Sequence, residues 1–253
     1  MQTLIDQRVI VTGGSRGLGL GIVEALVERK AQVTVVARDA SRLAEVKRRL
    51  GVATIAGDVT DRGLANTLLR DVRPDVLILN AGAPLVMAPL HEQTWEAFST
   101  TWNGDVKAGL HWIQAAIALP LPRGSRVLIA SSGAAVGGSP LSGGYAGAKR
   151  TLWFMAQYAN AVASQLDLGI RFQVLVPLQI SGETEFGRNA AEAYARAKGV
   201  SREAFLAGFG RPMPPREFGE HVVTLLTQPE YESGTAFGFK GDTGITSLDK
   251  MAA

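Results

Sequence analysis

Short apolar runs alternate with longer segments of helical spacing along most of this chain. Residues 8–12, 33–36, 52–56, 76–79, 127–130, 172–176 and 235–239 have the length of strands. Strands that alternate with helices usually form a parallel sheet with right-handed crossovers. The runs are apolar almost throughout, which is typical of strands covered on both faces. We therefore predict an α/β fold, with a doubly wound parallel sheet of about seven strands and helices on both faces.

A glycine-rich loop separates the first strand from the first helix. Glycine lets the backbone turn tightly and approach a pyrophosphate, and the helix N-terminus offers N–H donors and the positive end of a dipole. The spacing is Gly-x-x-x-Gly-x-Gly counted from Gly13, which differs from the dinucleotide fingerprint Gly-x-Gly-x-x-Gly. We predict a Rossmann-type phosphate site built by Gly13, Ser15, Arg16, Gly17, Leu18 and Gly19.

The end of the second strand bears on the choice of cofactor. An acidic residue there binds the ribose hydroxyls of NAD, whereas an arginine accommodates the 2′-phosphate of NADP. Ala37 leaves the acidic position empty, Arg38 follows it, and Arg16 lies in the glycine loop. We predict NADP(H) as the cofactor. The alternative is that both arginines are solvated surface side chains.

A second group of polar residues follows the strand at residues 127–130. Ser131 and Ser132 end this strand, and Tyr145 and Lys149 follow a glycine-rich loop with the spacing of one helical turn. A cation beside a phenol favours the phenolate and lowers the phenol pKa from about 10. This arrangement predicts a general acid/base. An exposed helical pair without catalytic function is the alternative, but the upstream hydroxyls and the N-terminal loop favour catalysis.

Composition excludes several other classes of protein. The net charge is +3 without a basic stripe, so we expect no nucleic-acid partner. The chain has no cysteine, and His91, His111 and His221 lie far apart, so we predict no metal site. We find neither a secretory signal nor an apolar stretch of membrane-spanning length. We therefore expect a cytoplasmic protein without membrane contact.

The alternation of strands and helices stops at about residues 182–215. Long insertions of this kind often form lids over a site. Its apolar side chains either line a pocket or simply pack together: Phe186, Tyr194, Phe205, Leu206 and Phe209. No composition shift marks a domain boundary, so residues 1–253 are predicted to form one dinucleotide-binding domain that carries this lid.

Together these motifs resemble the short-chain dehydrogenases/reductases, and the resemblance runs from the first strand to the last. The matching residues are Thr12-Gly13-Gly14-Ser15-Arg16-Gly17-Leu18-Gly19, Asp58-Val59, Asn80-Ala81-Gly82, Ser132 and Tyr145-x-x-x-Lys149. The resemblance implies that Tyr145 transfers the proton, that Lys149 holds the nicotinamide ribose, and that Ser132 binds the substrate oxygen. It further implies that Asp58 and Val59 contact adenine and that residues 80–82 pack beside the cofactor.

The sequence departs from the family pattern at two places. The family usually has an asparagine on the fourth helix, where its backbone positions a water linked to the lysine. Asp105 aligns there, and a carboxylate near Lys149 raises the lysine pKa. The second departure follows Pro177, where the family's glycine and threonine are missing. Ile180 still offers its backbone N–H to the carboxamide, and Ser181 or Thr184 are the substitutes for the threonine.

The resemblance implies a reductase or dehydrogenase that acts on a carbonyl/alcohol pair. The apolar, glycine-rich loops favour a neutral hydrophobic ketone, aldehyde or 3-oxoacyl substrate. The alternatives are an epimerase or dehalogenase on the same scaffold, and a dinucleotide-binding sensor or assembly protein without catalysis. The helices predicted at residues 95–119 and 145–168 carry more apolar surface than one sheet face needs, so we expect a homodimer or homotetramer.

Overall fold

Eight strands form one sheet in residues 3–251, the part of the chain that the computed structural model describes. They are β1 (Arg8–Thr12), β2 (Gln32–Ala37), β3 (Ala53–Ala56), β4 (Val76–Leu79), β5 (Arg126–Ala130), β6 (Arg171–Pro177), β7 (Ala236–Lys240) and β8 (Gly244–Ser247). The order is β3-β2-β1-β4-β5-β6-β7-β8. Strand order reverses between β1 and β4, as in a doubly wound sheet. The predicted fold class is therefore confirmed.

The last strand corrects the predicted sheet. The strands from β3 to β7 pair in parallel, but β8 pairs antiparallel to β7. Its sequence, GITS, is only partly buried, so it lacks the continuous apolar run by which the other strands were recognised. The sheet therefore has one more strand than predicted, and this strand protects the open edge of β7.

Helices cover both faces of the sheet. They are α1 (Gly17–Glu28), α2 (Ala40–Leu50), α3 (Arg62–Val72), α4 (Trp95–Thr101), α5 (Lys107–Ala118), α6 (Ala134–Gly137), α7 (Tyr145–Gln165), α8 (Glu185–Lys198), α9 (Arg202–Ala207) and α10 (Pro215–Thr227). One buried cluster joins the sheet to α1, α2 and α10, and a second joins it to α3, α5 and α7. Each large apolar side chain in these clusters contributes about 1.5–3 kcal/mol by its burial.

Carboxylates cap two helices beside the glycine loop. Asp39 accepts hydrogen bonds from the backbone N–H groups of Ser41 (3.0 Å) and Arg42 (3.1 Å) at the start of α2. Asp61 accepts one from Gly63 (2.7 Å) at the start of α3. Such caps satisfy N–H groups that have no partner within the helix. The carboxylate of Asp39 is thus engaged by α2, although it lies close to the end of β2.

The helix predicted at residues 95–119 is not continuous. A π-helical segment, Trp102–Val106, separates α4 from α5. At this segment a Cβ on Gly104 would lie 2.7 Å from the Cβ of Ala83, so only glycine allows the close approach to the loop after β4. Such segments often occur at functional sites, and this one contains Asp105.

The predicted lid at residues 182–215 contains α8 and α9. Helix α8 starts at Glu185, where Thr184 caps it by accepting a hydrogen bond from Gly187 N–H (2.8 Å). The Tyr194 hydroxyl on α8 contacts Ser139 and accepts a hydrogen bond from Leu141 N–H (3.4 Å). The lid segment is thereby attached to the loop between β5 and α7.

Candidate active site

Ser132, Tyr145 and Lys149 meet at the carboxyl edge of the sheet. Ser132 follows β5, Tyr145 is the first residue of α7, and Lys149 lies one turn further on the same helix face. Ser132 and Tyr145 share a side-chain hydrogen bond. The Lys149 ammonium lies 5.7 Å from the centre of the Tyr145 ring. The structure thus brings the three residues together, with Lys149 buried and Ser132 and Tyr145 partly exposed.

The two serines at the end of β5 have different surroundings. The buried Ser131 hydroxyl donates a hydrogen bond to the backbone carbonyl of Lys149 (2.9 Å), which ties β5 to α7. The Ser132 hydroxyl faces Tyr145 and accepts a hydrogen bond from Ala134 N–H (3.2 Å). Of the two hydroxyls left open by the sequence, only that of Ser132 contacts the phenol.

Asp105 forms a buried ion pair with Lys149. The Lys149 Nζ lies 2.9 Å from Asp105 Oδ2, and the two side chains are only 6% and 1% exposed. The other carboxylate oxygen accepts a short hydrogen bond from Ala83 N–H (2.6 Å). Lys149 also donates to the backbone carbonyl of Ala130 (3.2 Å). Asp105 therefore connects the π-helical segment, the loop after β4 and the lysine of α7.

The pKa of Lys149 lies above its ordinary value. Burial lowers the pKa, but the negative charge of Asp105, the Tyr145 phenol and the hydrogen bond to Asp105 together outweigh it. This is the direction expected from the sequence. At neutral pH the lysine therefore carries its charge even though almost no solvent reaches it.

The pKa of Tyr145 is also raised, whereas the sequence pattern predicted that it would fall. Burial of the phenol is the main cause. Lys149 and the hydrogen bond from Ser132 lower the pKa as expected, but Asp105 raises it and offsets part of their effect. The prediction was wrong because it considered the neighbouring cation and neither the depth of burial nor the carboxylate behind the lysine.

The glycine loop leaves the N-terminus of α1 open to an anion. No side chain caps this helix, and its first turn has no acidic residue. Gly13 adopts a φ of 69°, and a Cβ there would lie 2.7 Å from the Cα of Ala81. A Cβ on Gly19 would lie 2.3 Å from the Gly13 carbonyl. The loop therefore has the open N–H groups and the close backbone packing that suit a pyrophosphate. Ser15 precedes α1, and Gly17 and Leu18 lie in its first turn.

Thr12 holds the loop in place, a role that sequence reasoning missed. Its hydroxyl accepts hydrogen bonds from the N–H groups of Asn80 (3.0 Å) and Ala81 (3.2 Å) and donates one to the Ile78 carbonyl (3.3 Å). The Asn80 side chain donates to the Gly13 carbonyl (3.2 Å). The side chain of Asn80 thus supports the loop from behind. A threonine at the end of an apolar strand was the available signal.

Gly82 lies on the opposite side of this turn, close to the buried ion pair. A Cβ on Gly82 would be 3.6 Å from Asp105 Oδ2. The residues 80–82 thus connect the glycine loop at one end with Asp105 at the other.

Asp58, Val59 and Arg38 lie at the ends of β2 and β3. The Asp58 carboxylate accepts hydrogen bonds from Thr60 N–H (2.8 Å) and its hydroxyl (2.9 Å). These bonds, followed by the charge of Arg38, lower the pKa of Asp58. The Val59 carbonyl accepts a hydrogen bond from Trp112 Nε1 (2.9 Å). Arg38 is exposed, and within residues 3–251 it forms no ion pair.

The segment after β6 contains an unsatisfied hydroxyl. Ser181 Oγ is buried and has no hydrogen-bond partner among the described residues, which suits a polar group of a bound cofactor. Thr184, the other substitute for the family threonine, is already engaged as the cap of α8. The Pro177 carbonyl accepts a hydrogen bond from Gly133 N–H (2.8 Å), so Ile180 follows a firmly anchored strand end.

Gln179, which sequence reasoning missed, anchors this region. Its amide donates to the Arg211 carbonyl (3.0 Å) and accepts from Gly241 N–H (2.7 Å). It thereby joins the end of β6 to the end of the lid segment and to the turn between β7 and β8.

The aromatic residues of the lid segment divide into two groups. The Phe186 ring contacts the Tyr145 ring, with centroids 5.6 Å apart. Tyr194 stacks on Phe205 (5.7 Å), which contacts Phe209 edge-on (5.5 Å). Only Phe186 among these aromatics contacts the phenol. The others pack together, which was one of the two possibilities left by the sequence.

The sheet and the open glycine loop define a Rossmann-type dinucleotide-binding protein, and comparison with known proteins gives its family. A family model described as short chain dehydrogenase matches residues 7–195. The chain belongs to this short-chain dehydrogenase family. It is therefore an oxidoreductase whose family uses a nicotinamide dinucleotide.

Several relatives match over most of the chain. An oxidoreductase of Sarocladium schorii is 28% identical over 257 residues, covering 98% of this chain and 99% of that protein. A cis-2,3-dihydrobiphenyl-2,3-diol dehydrogenase of Metapseudomonas furukawaii is 32% identical over 261 residues, covering 96% of this chain and 88% of that protein. A 3-phenylpropionate-dihydrodiol/cinnamic acid-dihydrodiol dehydrogenase of Escherichia coli is 33% identical over 156 residues, covering 56% and 57%.

The described residues, 3–251, hold neither a candidate metal site nor a candidate membrane-spanning helix. No group of three or more His, Asp or Glu side chains in this range is placed to hold a metal ion. No helix within the same range combines the length and apolarity needed to cross a membrane.

Proposed function

We propose that the protein is an NADP(H)-dependent oxidoreductase that transfers a hydride between the nicotinamide and a carbonyl/alcohol pair. The cluster of Ser132, Tyr145 and Lys149 carries this proposal. The phenol is hydrogen-bonded to a serine on one side and lies beside an ammonium on the other. A positioned acid with a second donor next to it is the arrangement that carbonyl reduction requires.

Each residue of the cluster has a separate role in this proposal. Tyr145 donates the proton to the carbonyl oxygen in reduction and accepts it in oxidation. Ser132 donates a hydrogen bond to the same oxygen and so holds the reacting carbon in place. Lys149 binds the ribose hydroxyls and limits the rise of the phenol pKa. The bound cofactor supplies or accepts the hydride.

The raised pKa of Tyr145 extends the pH range in which the phenol can act as an acid. Carbonyl reduction needs the protonated phenol, whereas oxidation of an alcohol needs the phenolate. Because the pKa lies above its ordinary value of 10.0, we propose that reduction persists further into alkaline solution than it would with an unperturbed phenol.

The choice of NADP(H) rests on the charges around the end of β2. Arg38 is exposed and unpaired within residues 3–251, and Arg16 lies in the facing loop. Asp39, the nearest carboxylate in sequence, caps α2 through Oδ1 and pairs with Arg42 through Oδ2 (3.2 Å), so both of its oxygens already have partners. An arginine without a competing carboxylate suits a 2′-phosphate.

Fluorescence titration with NADPH and NADH tests this choice. Wild type should bind NADPH more tightly, and Arg38→Asp should move the preference towards NADH. Arg48→Asp is the matched control, because Arg48 is an exposed arginine near the far end of α2. Tighter binding of NADH by wild type would show that the arginines are solvated surface residues.

The substrate is proposed to be a fairly apolar ketone, aldehyde or 3-oxoacyl compound. The site opens between apolar, glycine-rich loops, and Phe186 of the lid segment lies against Tyr145. Two of the relatives are named as dehydrogenases of aromatic dihydrodiols, which supports an apolar ring substrate. A screen of carbonyl compounds that follows NADPH absorbance tests the proposal, with Tyr145→Phe as the inactive control.

The ion pair of Asp105 with Lys149 favours one alternative, a protein that binds the dinucleotide without turnover. An ammonium that is already paired is less free to bind ribose. The intact Ser132 and Tyr145 argue against this reading, since a sensor or assembly protein needs neither. An epimerase or dehalogenase would keep the same cluster but consume no cofactor. Measuring net NADPH turnover separates these classes from a reductase.

An exposed apolar row on α7 supports the proposed homodimer or homotetramer. Its members follow one another at every fourth position and so share one helix face: Phe154, Tyr158, Val162 and Leu166. A contiguous apolar stripe of this kind usually marks an interface. We propose that a second copy of the chain covers it. The cytoplasmic location stays a prediction.

A further inference from the structure

A carboxylate of the lid segment contacts two arginines near the end of β2. Glu185, the first residue of α8, forms an ion pair with Arg16 of the glycine loop. Its Oε2 also lies 3.9 Å from Nη2 of Arg42, in the first turn of α2. The Nε of Arg42 pairs more closely with Asp39 Oδ2 (3.2 Å), so Glu185 is the second carboxylate beside this guanidinium. One carboxylate thus links the lid segment to the glycine loop and to α2.

The two arginines flank the place where a 2′-phosphate would bind. Arg16 belongs to the loop between β1 and α1, and Arg42 to the helix that follows β2. In this fold the adenosine ribose lies near the end of the second strand. The carboxylate of Glu185, held between two guanidinium groups, is therefore an anion in the position that suits the phosphate.

We propose that Glu185 competes with the 2′-phosphate of NADP(H) for Arg16 and Arg42 and so reduces discrimination against NAD(H). This inference rests on the proposed preference for NADP(H). The bound 2′-phosphate takes the place of the Glu185 carboxylate at the arginines. Glu185, the first residue of α8, is thereby released from its ion pair. NAD(H) has only a hydroxyl at this position and leaves the ion pair with Arg16 in place.

The exposure of the ion pair makes this exchange feasible. The side chains of Arg16 and Glu185 are 54% and 55% exposed, and ion pairs with this exposure contribute little to stability. A phosphate carries more charge and accepts paired hydrogen bonds from arginine, so it outcompetes the carboxylate.

The same exchange connects the adenosine end of the site to the catalytic end. Phe186, the next residue of α8, contacts the Tyr145 ring. A shift of the first turn of α8 is thus transmitted to the residue that lies against the phenol. The lid segment therefore responds to binding of the 2′-phosphate.

The test compares Glu185→Gln with Glu183→Gln. Glu183 is an exposed carboxylate just before α8, and within residues 3–251 it forms no ion pair with either arginine. Dissociation constants are measured by fluorescence for NADPH and NADH, and by calorimetry for adenosine 2′,5′-bisphosphate and 5′-AMP. Glu185→Gln should tighten the two 2′-phosphorylated ligands by about two- to fivefold, the range of an exposed ion pair. NADH and 5′-AMP should change by less than about 1.5-fold, and Glu183→Gln should resemble wild type for all four ligands.

Hydrogen exchange provides a second readout that does not depend on activity. In wild type, adenosine 2′,5′-bisphosphate should reduce the protection of the first turn of α8, while 5′-AMP leaves it unchanged. Glu185→Gln should show the reduced protection without ligand.

Two results would overturn the inference: an unchanged ratio of NADPH to NADH affinity in Glu185→Gln, or the same shift in Glu183→Gln. These outcomes do not depend on whether wild type prefers NADP(H). If wild type prefers NADH but Glu185→Gln still tightens the 2′-phosphorylated ligands, the proposed preference falls and the assignment of Glu185 stands.

Discussion

Replacing Asp105 by Asn removes a charge from the buried ion pair with almost no change of shape. Asn keeps an oxygen that accepts the hydrogen bond from Ala83 N–H, but Lys149 loses its counter-charge. Removing one partner of a buried pair usually costs about 3–5 kcal/mol, because the other charge is left unpaired. Lys149 keeps its bond to the Ala130 carbonyl, so we expect a loss of about 3 kcal/mol at pH 7.

A double-mutant cycle isolates the ion pair. The variants are Asp105→Asn, Lys149→Met and the double substitution, each unfolded by urea at pH 7 and at one protein concentration. The cycle should give a coupling energy of up to about 3 kcal/mol. For a chain of this length the single substitution should lower Tm by roughly 6–12 °C, at about 2–4 °C per kcal/mol.

The effect on stability should depend on pH in a defined direction. The folded-state pKa of Lys149 lies above its ordinary value of 10.5. The stabilisation is therefore fully present below pH 10.5 and is lost as the pH rises through the folded-state pKa. The stability difference between wild type and Asp105→Asn should thus be constant near neutral pH and decrease in strongly alkaline solution.

The same substitution should move the pH–rate profile. Asp105 raises the pKa of Tyr145, so its removal lowers that pKa. Reduction needs the protonated phenol, and its rate should begin to fall at a lower pH than in wild type. Turnover at pH 7 should be preserved or raised. A coupling energy near zero together with an unmoved profile would refute the reasoning, because it would mean that the pair does not form in solution.

Four further substitutions test the rest of the site and the proposed interface. Tyr145→Phe should reduce kcat by about 10²–10⁴-fold and leave the NADPH dissociation constant nearly unchanged, so wild-type turnover in this variant would invalidate the catalytic assignment. Ser132→Ala should lower kcat and spare cofactor binding, whereas Ser131→Ala should cost about 1 kcal/mol of stability through the lost bond to the Lys149 carbonyl, with a smaller effect on kcat. Tyr158→Glu should dissociate the oligomer in sedimentation at micromolar concentration, and a wild type that is already monomeric there would contradict the proposed interface.

The strands of the sheet were largely predictable because their environment is simple. β1, β4 and β5 are buried on both faces, so nearly every residue in them is apolar and the run stands out in the sequence. β8 is short, partly exposed and antiparallel, and its residues carry no such pattern. Its position depends on pairing with β7, which is a tertiary contact.

The π-helical segment could not be predicted for a similar reason. Its residues are compatible with a regular helix, and its extra width follows from contacts with distant parts of the chain. Gly104 packs against Ala83, and Asp105 pairs with Lys149. The sequence placed Asp105 near Lys149 only through the resemblance to a family.

The sequence predicted which residues form the site better than it predicted their pKa shifts. The spacing of Tyr145 and Lys149, together with the upstream hydroxyls and the N-terminal glycine loop, indicated that Ser132, Tyr145 and Lys149 come together. The sign of the Tyr145 pKa shift, however, depends on how deeply the phenol is buried, and burial is a property of the whole fold. The contact of Glu185 with Arg16 joins residues far apart in the chain, and no local pattern marks it.

The π-helical segment also determines how far α4 is rotated about the helix axis relative to α5. Each residue of an α-helix turns the chain by about 100°, so one additional residue rotates α4 by that angle relative to α5. Trp112 of α5 is fully buried against the sheet, and Thr101 at the end of α4 is buried as well. Deleting Gly104 would restore a regular helix. The buried side of either α4, with Thr101, or α5, with Trp112, would then turn towards solvent. A single-residue deletion here would therefore disturb the packing of one half of this helix against the rest of the fold.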